Sequence, residues 1–143
     1  MHFSELVEGT TLPEIKKYIT QDMINSYAQV SKDFNPIHID PDYAAGTPLG
    51  GTIAHGMLIL SYVSQMMTGA FERDWLTGGK LNIRFRTPAR PGDTVTASGK
   101  ITGVKDDEKG REVTCDVLCA NEIGDQLITG EAKVKVGENE NIS

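Results

Sequence analysis

The segment from Ala54 to Phe71 constrains the fold of this chain more than any other. Its large apolar residues lie on nearly all sides of a helix instead of along one stripe: Met57, Leu58, Ile59, Leu60, Tyr62, Val63, Met66, Met67 and Ala70. A helix of this kind is predicted to be buried almost all round. Polar and small residues interrupt the segment, so it is not interpreted as membrane-spanning. The rest of the chain must therefore supply a surface that wraps around this helix.

The second half of the sequence supplies that surface, because its apolar residues alternate with polar ones as in strands. Four runs show this period: 81–85, 95–101, 113–119 and 128–136. Residues 106–110 are predicted to form a loop and residues 122–125 a glycine turn. Helices followed by antiparallel strands predict an α+β domain with the sheet wrapped around the apolar helix.

The first part of the chain is predicted to be an extended strand within residues 11–20, followed by a helix. Thr20 is a suitable cap for that helix, since its hydroxyl can accept a backbone amide proton. The helix has to end before Pro36, which has no amide hydrogen and pushes Asn35 towards an extended conformation. Asp40 is then predicted to cap a second short helical turn.

The length and charge of the chain limit its number of domains and its possible partners. Its 143 residues suit one domain, predicted to span residues 1–137 with a polar tail at 138–143. With 14 Lys+Arg against 20 Asp+Glu, the net charge of −6 argues against nucleic acid as the main partner. No signal peptide is recognised at the N-terminus. Cys115 and Cys119 share one strand face and are predicted to be reduced and buried, as in a cytoplasmic protein.

The candidate chemistry lies in the segment Asp33-Phe34-Asn35-Pro36-Ile37-His38. A bend at Asn35-Pro36 can fold Asp33 and His38 towards one point, where a carboxylate and a neutral imidazole both accept protons from one water. The alternative is purely structural: Asp33 ends a helix, the chain turns, and His38 is a hydrogen-bonded core histidine. Residue types alone leave both interpretations open.

Three sequence blocks resemble one known family. The segment DFNPIH at 33–38, with Ala44 six residues later, resembles the signature of the MaoC-like (R)-specific enoyl-CoA hydratases and the related 3-hydroxyacyl-ACP dehydratases. The segment TIAHGML at 52–58 is similar to the start of that family's central helix, and FRTPARPGD at 85–93 to its later strand and turn. The blocks occur in the family's order and cover most of the chain.

The resemblance implies a hot-dog fold, in which a curved antiparallel sheet wraps a long helix, and assembly into homodimers or higher oligomers. It implies that Asp33 and His38 hold and activate a water that adds across the trans-2,3 double bond of an enoyl thioester. The backbone amide of Gly56 then matches the oxyanion donor, and Ser64 lies near the site. Asn35 either orients the water or the Asp33 carboxylate, or only shapes the turn.

The substrate implied is an acyl-CoA or acyl-ACP, and no cofactor or metal is expected. Adding water at C3 places negative charge on the thioester oxygen, which the start of a buried helix stabilises. Arg84 and Arg86, with Lys80 and Arg90, either bind the phosphates of the carrier or form a solvated strand face. An acyl-CoA thioesterase and a non-catalytic acyl-thioester-binding subunit are the alternative functions.

Lys32 and His55 flank the three matching blocks or lie within them, and each has its own interpretation. The family usually has glycine at the position of Lys32. If this position requires a left-handed backbone, lysine costs about 1 kcal/mol of strain. The favoured interpretation is that Lys32 belongs to the last helical turn, where a cation suits the negative helix end. His55 is predicted to have a structural hydrogen-bonding role. A metal site from Asp33, His38 and His55 is not expected, since the sequence lacks a close ligand pair such as His-x-x-x-His.

Overall fold

The computed structural model describes residues 1–137, and the polar tail predicted at 138–143 lies outside the described residues. A 3-10 turn at Phe3–Glu5 precedes ten elements. The helices are α1 (Gln21–Ser31), α2 (Pro36–Ile39), α3 (Pro41–Ala45), α4 (Gly56–Phe71) and α5 (Arg73–Gly78). The strands are β1 (Ile15–Tyr18), β2 (Lys80–Phe85), β3 (Thr94–Asp107), β4 (Gly110–Ala120) and β5 (Gln126–Val136).

The five strands form one antiparallel sheet in the order β1-β3-β4-β5-β2. The four predicted strand runs of the second half are all present. The predicted loop at 106–110 is shorter than expected, because Asp107 pairs with Gly110 and only two residues connect β3 to β4. The amide of Lys109 donates to Asp107 Oδ1, which stabilises this tight turn.

Helix α4 packs against the sheet and forms one core with it, which is the predicted hot-dog arrangement. Val63, Met66 and Met67 are at most 1% exposed, and the sheet side chains that face the same core include Ile101 and Val113. The helix was predicted to be buried almost all round, and this prediction is wrong along one stripe. Met57 is 58% exposed, and Ser61 and Gln65 continue the exposed stripe at four-residue intervals, because the sheet covers only part of the helix circumference.

The two cysteines are free and buried on β4, as predicted. Burial raises the pKa of Cys115 to about 12, with a smaller contribution from the Asp116 carboxylate, and burial alone raises the pKa of Cys119 to about 12. Both groups are therefore neutral thiols within the core at physiological pH. Within residues 1–137, no helix has the length and apolar character needed to cross a membrane.

Helix α1 begins as predicted and ends differently from the prediction. Thr20 Oγ1 accepts a hydrogen bond from the Met23 amide at 3.1 Å. Lys32 was interpreted as part of the last helical turn, but its φ of 64° and ψ of 19° are left-handed. Its amide donates to the Ala28 carbonyl at 2.8 Å, so Lys32 terminates the helix in the manner usually provided by glycine. The chain is thereby turned before it reaches Asn35 and Pro36.

Candidate active site

The segment after Lys32 folds into a tight turn that is held by Asn35. The Asn35 amide donates to Asp33 Oδ1 at 3.2 Å, and the Asn35 side-chain oxygen accepts from the Ile37 amide at 3.2 Å. Pro36 occupies the first position of α2, where its missing amide hydrogen costs nothing. The side chain of Asn35 therefore shapes the turn, and its main chain orients the Asp33 carboxylate.

The turn places His38 in a buried position with a defined protonation pattern. His38 is 8% exposed, and its Nδ1 lies 2.8 Å from the Ile53 carbonyl oxygen. Because a carbonyl only accepts hydrogen bonds, Nδ1 carries the hydrogen of the neutral ring. Nε2 of His38 is then a proton acceptor. This is the tautomer that a general base requires.

His55 contacts both members of the predicted pair. Its Nε2 lies 3.0 Å from the Asp33 carbonyl oxygen, and its ring stacks on the His38 ring with centroids 3.9 Å apart. Tyr27 packs on the His55 ring with centroids 4.9 Å apart. His55 Nδ1 is buried, and no hydrogen-bond partner for it is found among residues 1–137. The predicted structural hydrogen bond of His55 is confirmed, and the ring stacking adds a contact that the sequence did not indicate.

Asp33, His38 and His55 form a compact cluster. One carboxylate oxygen of Asp33 and one ring nitrogen of each histidine lie within 4.8 Å of one another. The bend at Asn35-Pro36 was expected to bring Asp33 and His38 together, whereas the closeness of His55 to both was not predicted. A shared metal ion would have to lie in the plane of both rings, but the two ring planes are stacked at only 25° to each other. The cluster is better arranged for moving protons than for holding a metal ion.

An apolar cavity of about 250 Å³ opens beside His38. It lies between the start of α4 and the strands β2 and β5. Apolar side chains dominate its wall, including Ile53, Ile59, Phe85, Leu127 and Ile128. Asp33 is exposed and is not part of this wall. The cavity therefore combines a hydrophobic interior with a proton acceptor at one side, which is typical of a small-molecule site.

Gly56 lies on the cavity wall as the first residue of α4. The side chain of the N-cap residue His55 makes no capping hydrogen bond, and the first amides of a helix have no partner within the helix itself. A Cβ atom at Gly56 would lie 3.0 Å from Phe85 Cε1, which is closer than ordinary van der Waals contact. Glycine therefore keeps the Phe85 ring and the helix start in direct contact. The positive end of α4 faces the cavity.

Of the other predicted site residues, Arg86 lies at the cavity and Arg84 and Ser64 do not. Arg86 lines the cavity, and its Nε donates to Thr129 Oγ1 at 3.0 Å. Arg84 is exposed on β2, two residues before Arg86, and does not line the cavity. Ser64 is not brought to the cavity, because it lies more than two helical turns after Gly56 and accepts a hydrogen bond from Trp75 Nε1 at 3.2 Å.

Gln21 and Thr52 form hydrogen bonds next to His38 that were not predicted. Gln21 Nε2 donates to the His38 carbonyl oxygen at 2.7 Å, and Thr52 Oγ1 donates to Gln21 Oε1 at 2.7 Å. These bonds join residues 17 and 31 positions apart in the chain. No local motif marks such contacts, so the sequence offered no signal for them.

The antiparallel sheet that packs on α4, with a cavity beside His38 at the start of α4, defines a hot-dog protein. Residues 2–123 match the family model described as a MaoC-like domain, and the chain belongs to this family.

Two related proteins and one solved structure show the extent of the similarity. An (R)-specific enoyl-CoA hydratase from Rhodospirillum rubrum is 33% identical over 137 residues, covering 94% of this chain and 91% of that protein. A 3-hydroxybutyryl-CoA dehydratase from Methylorubrum extorquens is 28% identical, covering 98% of this chain and 87% of that protein. The structure of an (R)-hydratase from A. caviae involved in PHA biosynthesis superposes with a TM-score of 0.78 at 30% identity, covering 92% and 97% of the two chains.

Proposed function

We propose that this protein is an (R)-specific enoyl thioester hydratase. It adds water reversibly to a trans-2-enoyl-CoA or -ACP and gives the (R)-3-hydroxyacyl thioester. One observation carries the proposal: His38 has its Nδ1 hydrogen bonded to a carbonyl and lines an apolar cavity, and the Asp33 carboxylate lies next to it. The family membership and the named relatives support the same reaction.

The proposed reaction starts with a water held between Asp33 and His38. Two hydrogen bonds of about 2.8 Å from one water reach acceptors about 4.5 Å apart. A carboxylate oxygen of Asp33 and a ring nitrogen of His38 lie within 4.8 Å, so their separation suits a bridging water. As the water oxygen bonds to C3 of the substrate, His38 Nε2 takes one proton and the C2–C3 π electrons move to the thioester as an enolate. The imidazolium then returns the proton to C2, which restores the carbonyl and leaves the C3 hydroxyl.

The enolate oxygen is proposed to bind the Gly56 amide. The N-cap side chain of His55 does not cap the start of α4, and this end carries the positive pole of the helix dipole. A donor of this kind stabilises the transition state by about 3 kcal/mol in other enzymes. Because Gly56 has no side chain, a thioester can approach its amide closely. The hydrophobic wall near Ile59 and Leu127 is proposed to receive the acyl chain.

The carrier of the acyl group is proposed to bind near Arg86, which is exposed at the cavity wall. Its guanidinium suits a phosphate of CoA or of an acyl-carrier-protein arm, and Arg84, near the end of β2, can extend this contact. The reaction needs no cofactor, since the carboxylate, the imidazole and the amide supply all the groups that it uses.

We also propose that the working form is a homodimer or a higher homo-oligomer in the cytoplasm. Phe34, Met57 and Phe85 are 45%, 58% and 54% exposed and adjoin site residues along the chain or in space. Large apolar side chains grouped around a site support an interface there. The buried, unpaired cysteines support a reducing compartment. Light scattering on the purified protein measures the mass, and a monomer would contradict the assembly.

The test is to incubate the protein with crotonyl-CoA, longer enoyl-CoAs and enoyl-ACPs and to follow the loss of enoyl absorbance. Chiral analysis is expected to give only the (R)-3-hydroxyacyl product. Release of free thiol instead would identify a thioesterase. Tight binding without turnover on any chain length or carrier would identify a non-catalytic binding subunit.

A further inference from the structure

The side chain of Gln21 joins the two chain segments that hold the His38 imidazole. Its amide nitrogen donates to the His38 carbonyl oxygen at 2.7 Å and to Asn25 Oδ1 at 2.9 Å. Its amide oxygen accepts from Thr52 Oγ1 at 2.7 Å. Thr52 is 8% exposed, so the hydroxyl that makes this bond is buried. Both amide hydrogens and the oxygen of Gln21 are therefore used.

The orientation of the Gln21 amide is fixed by its partners. The His38 carbonyl only accepts hydrogen bonds, so the amide nitrogen must face it. This carbonyl lies near the end of α2, a helix of four residues whose last carbonyls have no partner within the helix. Gln21 is the first residue of α1 and supplies the missing donor from another element.

The two segments bridged by Gln21 are the ones that fix the tautomer of His38. Thr52 directly precedes Ile53, whose carbonyl accepts from His38 Nδ1 at 2.8 Å. The Ile53 amide donates to the Ile37 carbonyl at 3.1 Å, which links the same segments once more. If the bridge is removed, the Ile53 carbonyl can move away from Nδ1. Without this acceptor, the tautomer of His38 protonated on Nδ1 is no longer favoured. The tautomer protonated on Nε2 cannot accept a proton at Nε2.

We propose that Gln21, together with Thr52, is a positioning residue that holds His38 in the tautomer protonated on Nδ1. The role in catalysis rests on the proposed hydratase function, whereas the effect on the tautomer does not. Gln21 touches neither substrate nor water in this proposal. It acts through the distance between the His38 ring and the Ile53 carbonyl.

The test compares four variants. Gln21→Glu keeps the shape but replaces the donor with a carboxylate that faces the His38 carbonyl. Thr52→Val removes the hydroxyl with little change of shape, and Thr52→Ser keeps it. Gln29→Glu is the matched control, because Gln29 is exposed on the same helix. Circular dichroism and thermal unfolding establish which variants fold, and Thr52→Val carries the test if Gln21→Glu does not fold.

The first measurement is ¹⁵N NMR of protein labelled at its 3 histidines. The His38 signals are assigned by their loss in His38→Gln. In the wild type, Thr52→Ser and Gln29→Glu, His38 is expected to be protonated on Nδ1. In Gln21→Glu and Thr52→Val, the form protonated on Nε2 is expected to appear. An unchanged His38 tautomer in both folded variants would overturn the proposal.

The second measurement is steady-state kinetics on crotonyl-CoA. A general base contributes about 10²- to 10⁴-fold to a rate, and partial loss of its correct tautomer is expected to lower kcat by about tenfold. KM is expected to change less than twofold, since Gln21 does not line the cavity. Thr52→Ser is expected to retain the wild-type kcat. If the wild type turns over no enoyl-CoA or enoyl-ACP of any chain length while the tautomer still shifts, the hydratase function fails and the positioning of His38 by Gln21 stands.

Discussion

Replacing Gly56 with alanine tests the helix start as an oxyanion site. The new Cβ would lie 3.0 Å from Phe85 Cε1, 3.3 Å from Cδ1 and 3.4 Å from Cζ. Carbon atoms in good contact are about 3.5–4.0 Å apart, so the ring has to move by a few tenths of an ångström. Phe85 is 54% exposed, and its solvent side leaves room for this movement.

Two effects on stability oppose each other in Gly56→Ala. Overpacking costs about 1–3 kcal/mol in a closed core, and the exposed ring of Phe85 places this site at the lower end of that range. Alanine in place of glycine stabilises the interior of a helix by about 0.5–1 kcal/mol, and by less at Gly56, which is the first residue of α4. The free energy of unfolding is therefore expected to change by less than about 1 kcal/mol, as measured by urea unfolding.

The effect of Gly56→Ala on activity is expected to be much larger. The methyl group occupies the space through which a thioester oxygen approaches the amide, and an oxyanion donor is worth about 3 kcal/mol. This energy corresponds to a decrease in kcat of roughly 10²-fold on crotonyl-CoA.

The double variant Gly56→Ala/Phe85→Leu separates the two possible causes. It relieves the contact with the ring but keeps the methyl group, so the lost activity is not expected to return. A kcat within twofold of the wild type for Gly56→Ala would refute the oxyanion role, and recovery in the double variant would assign the effect to the ring instead.

Three further predictions follow from the site and the core. Asp33→Asn and His38→Ala are each expected to lower kcat by about 10²- to 10⁴-fold with an unchanged circular dichroism spectrum, and a decrease below fivefold for either would contradict its acid/base role. Because burial raises the pKa of Cys115 and Cys119 to about 12 in the folded state, stability contributed by these thiols is complete below pH 9 and decreases as the pH rises towards 12; urea midpoints that stay constant from pH 8.5 to 11 would contradict this. Lys32→Gly is expected to stabilise the protein by about 1 kcal/mol, since glycine adopts a left-handed conformation without strain, and a lower urea midpoint would contradict the strain at this position.

The secondary structure could be predicted largely because its signals are local. The alternating runs of the second half and the Thr20 cap depend on residues that are close in sequence, and both are present in the structure. The burial of α4 was overestimated at Met57, because hydrophobicity alone does not say how far a sheet extends around a helix. A partner surface that covers this stripe would reconcile the apolar residue with its exposure.

The site could be predicted only where a turn brings residues together. Pro36 forces the bend that carries His38, and the sequence shows this directly. The stacking of His55 on His38 and the bridge from Gln21 to Thr52 depend on how α1, α2 and the start of α4 pack. Residue spacing contains no information about such contacts, so His55 was predicted to make a hydrogen bond but not to contact Asp33 and His38.

The left-handed residue Lys32 and the proposed catalytic pair, Asp33 and His38, form one structural unit. Lys32 adopts a conformation that costs a residue with a side chain roughly 1–2 kcal/mol, and Asp33 follows it directly. The hydrogen bond from His55 Nε2 to the Asp33 carbonyl contributes about 1 kcal/mol. It holds the chain directly after Lys32. The same His55 ring supports the His38 ring by stacking. Contacts of His55 with Asp33 and His38 thus offset the strain at Lys32. Lys32→Gly removes this strain and is expected to raise stability without changing the geometry of Asp33 and His38.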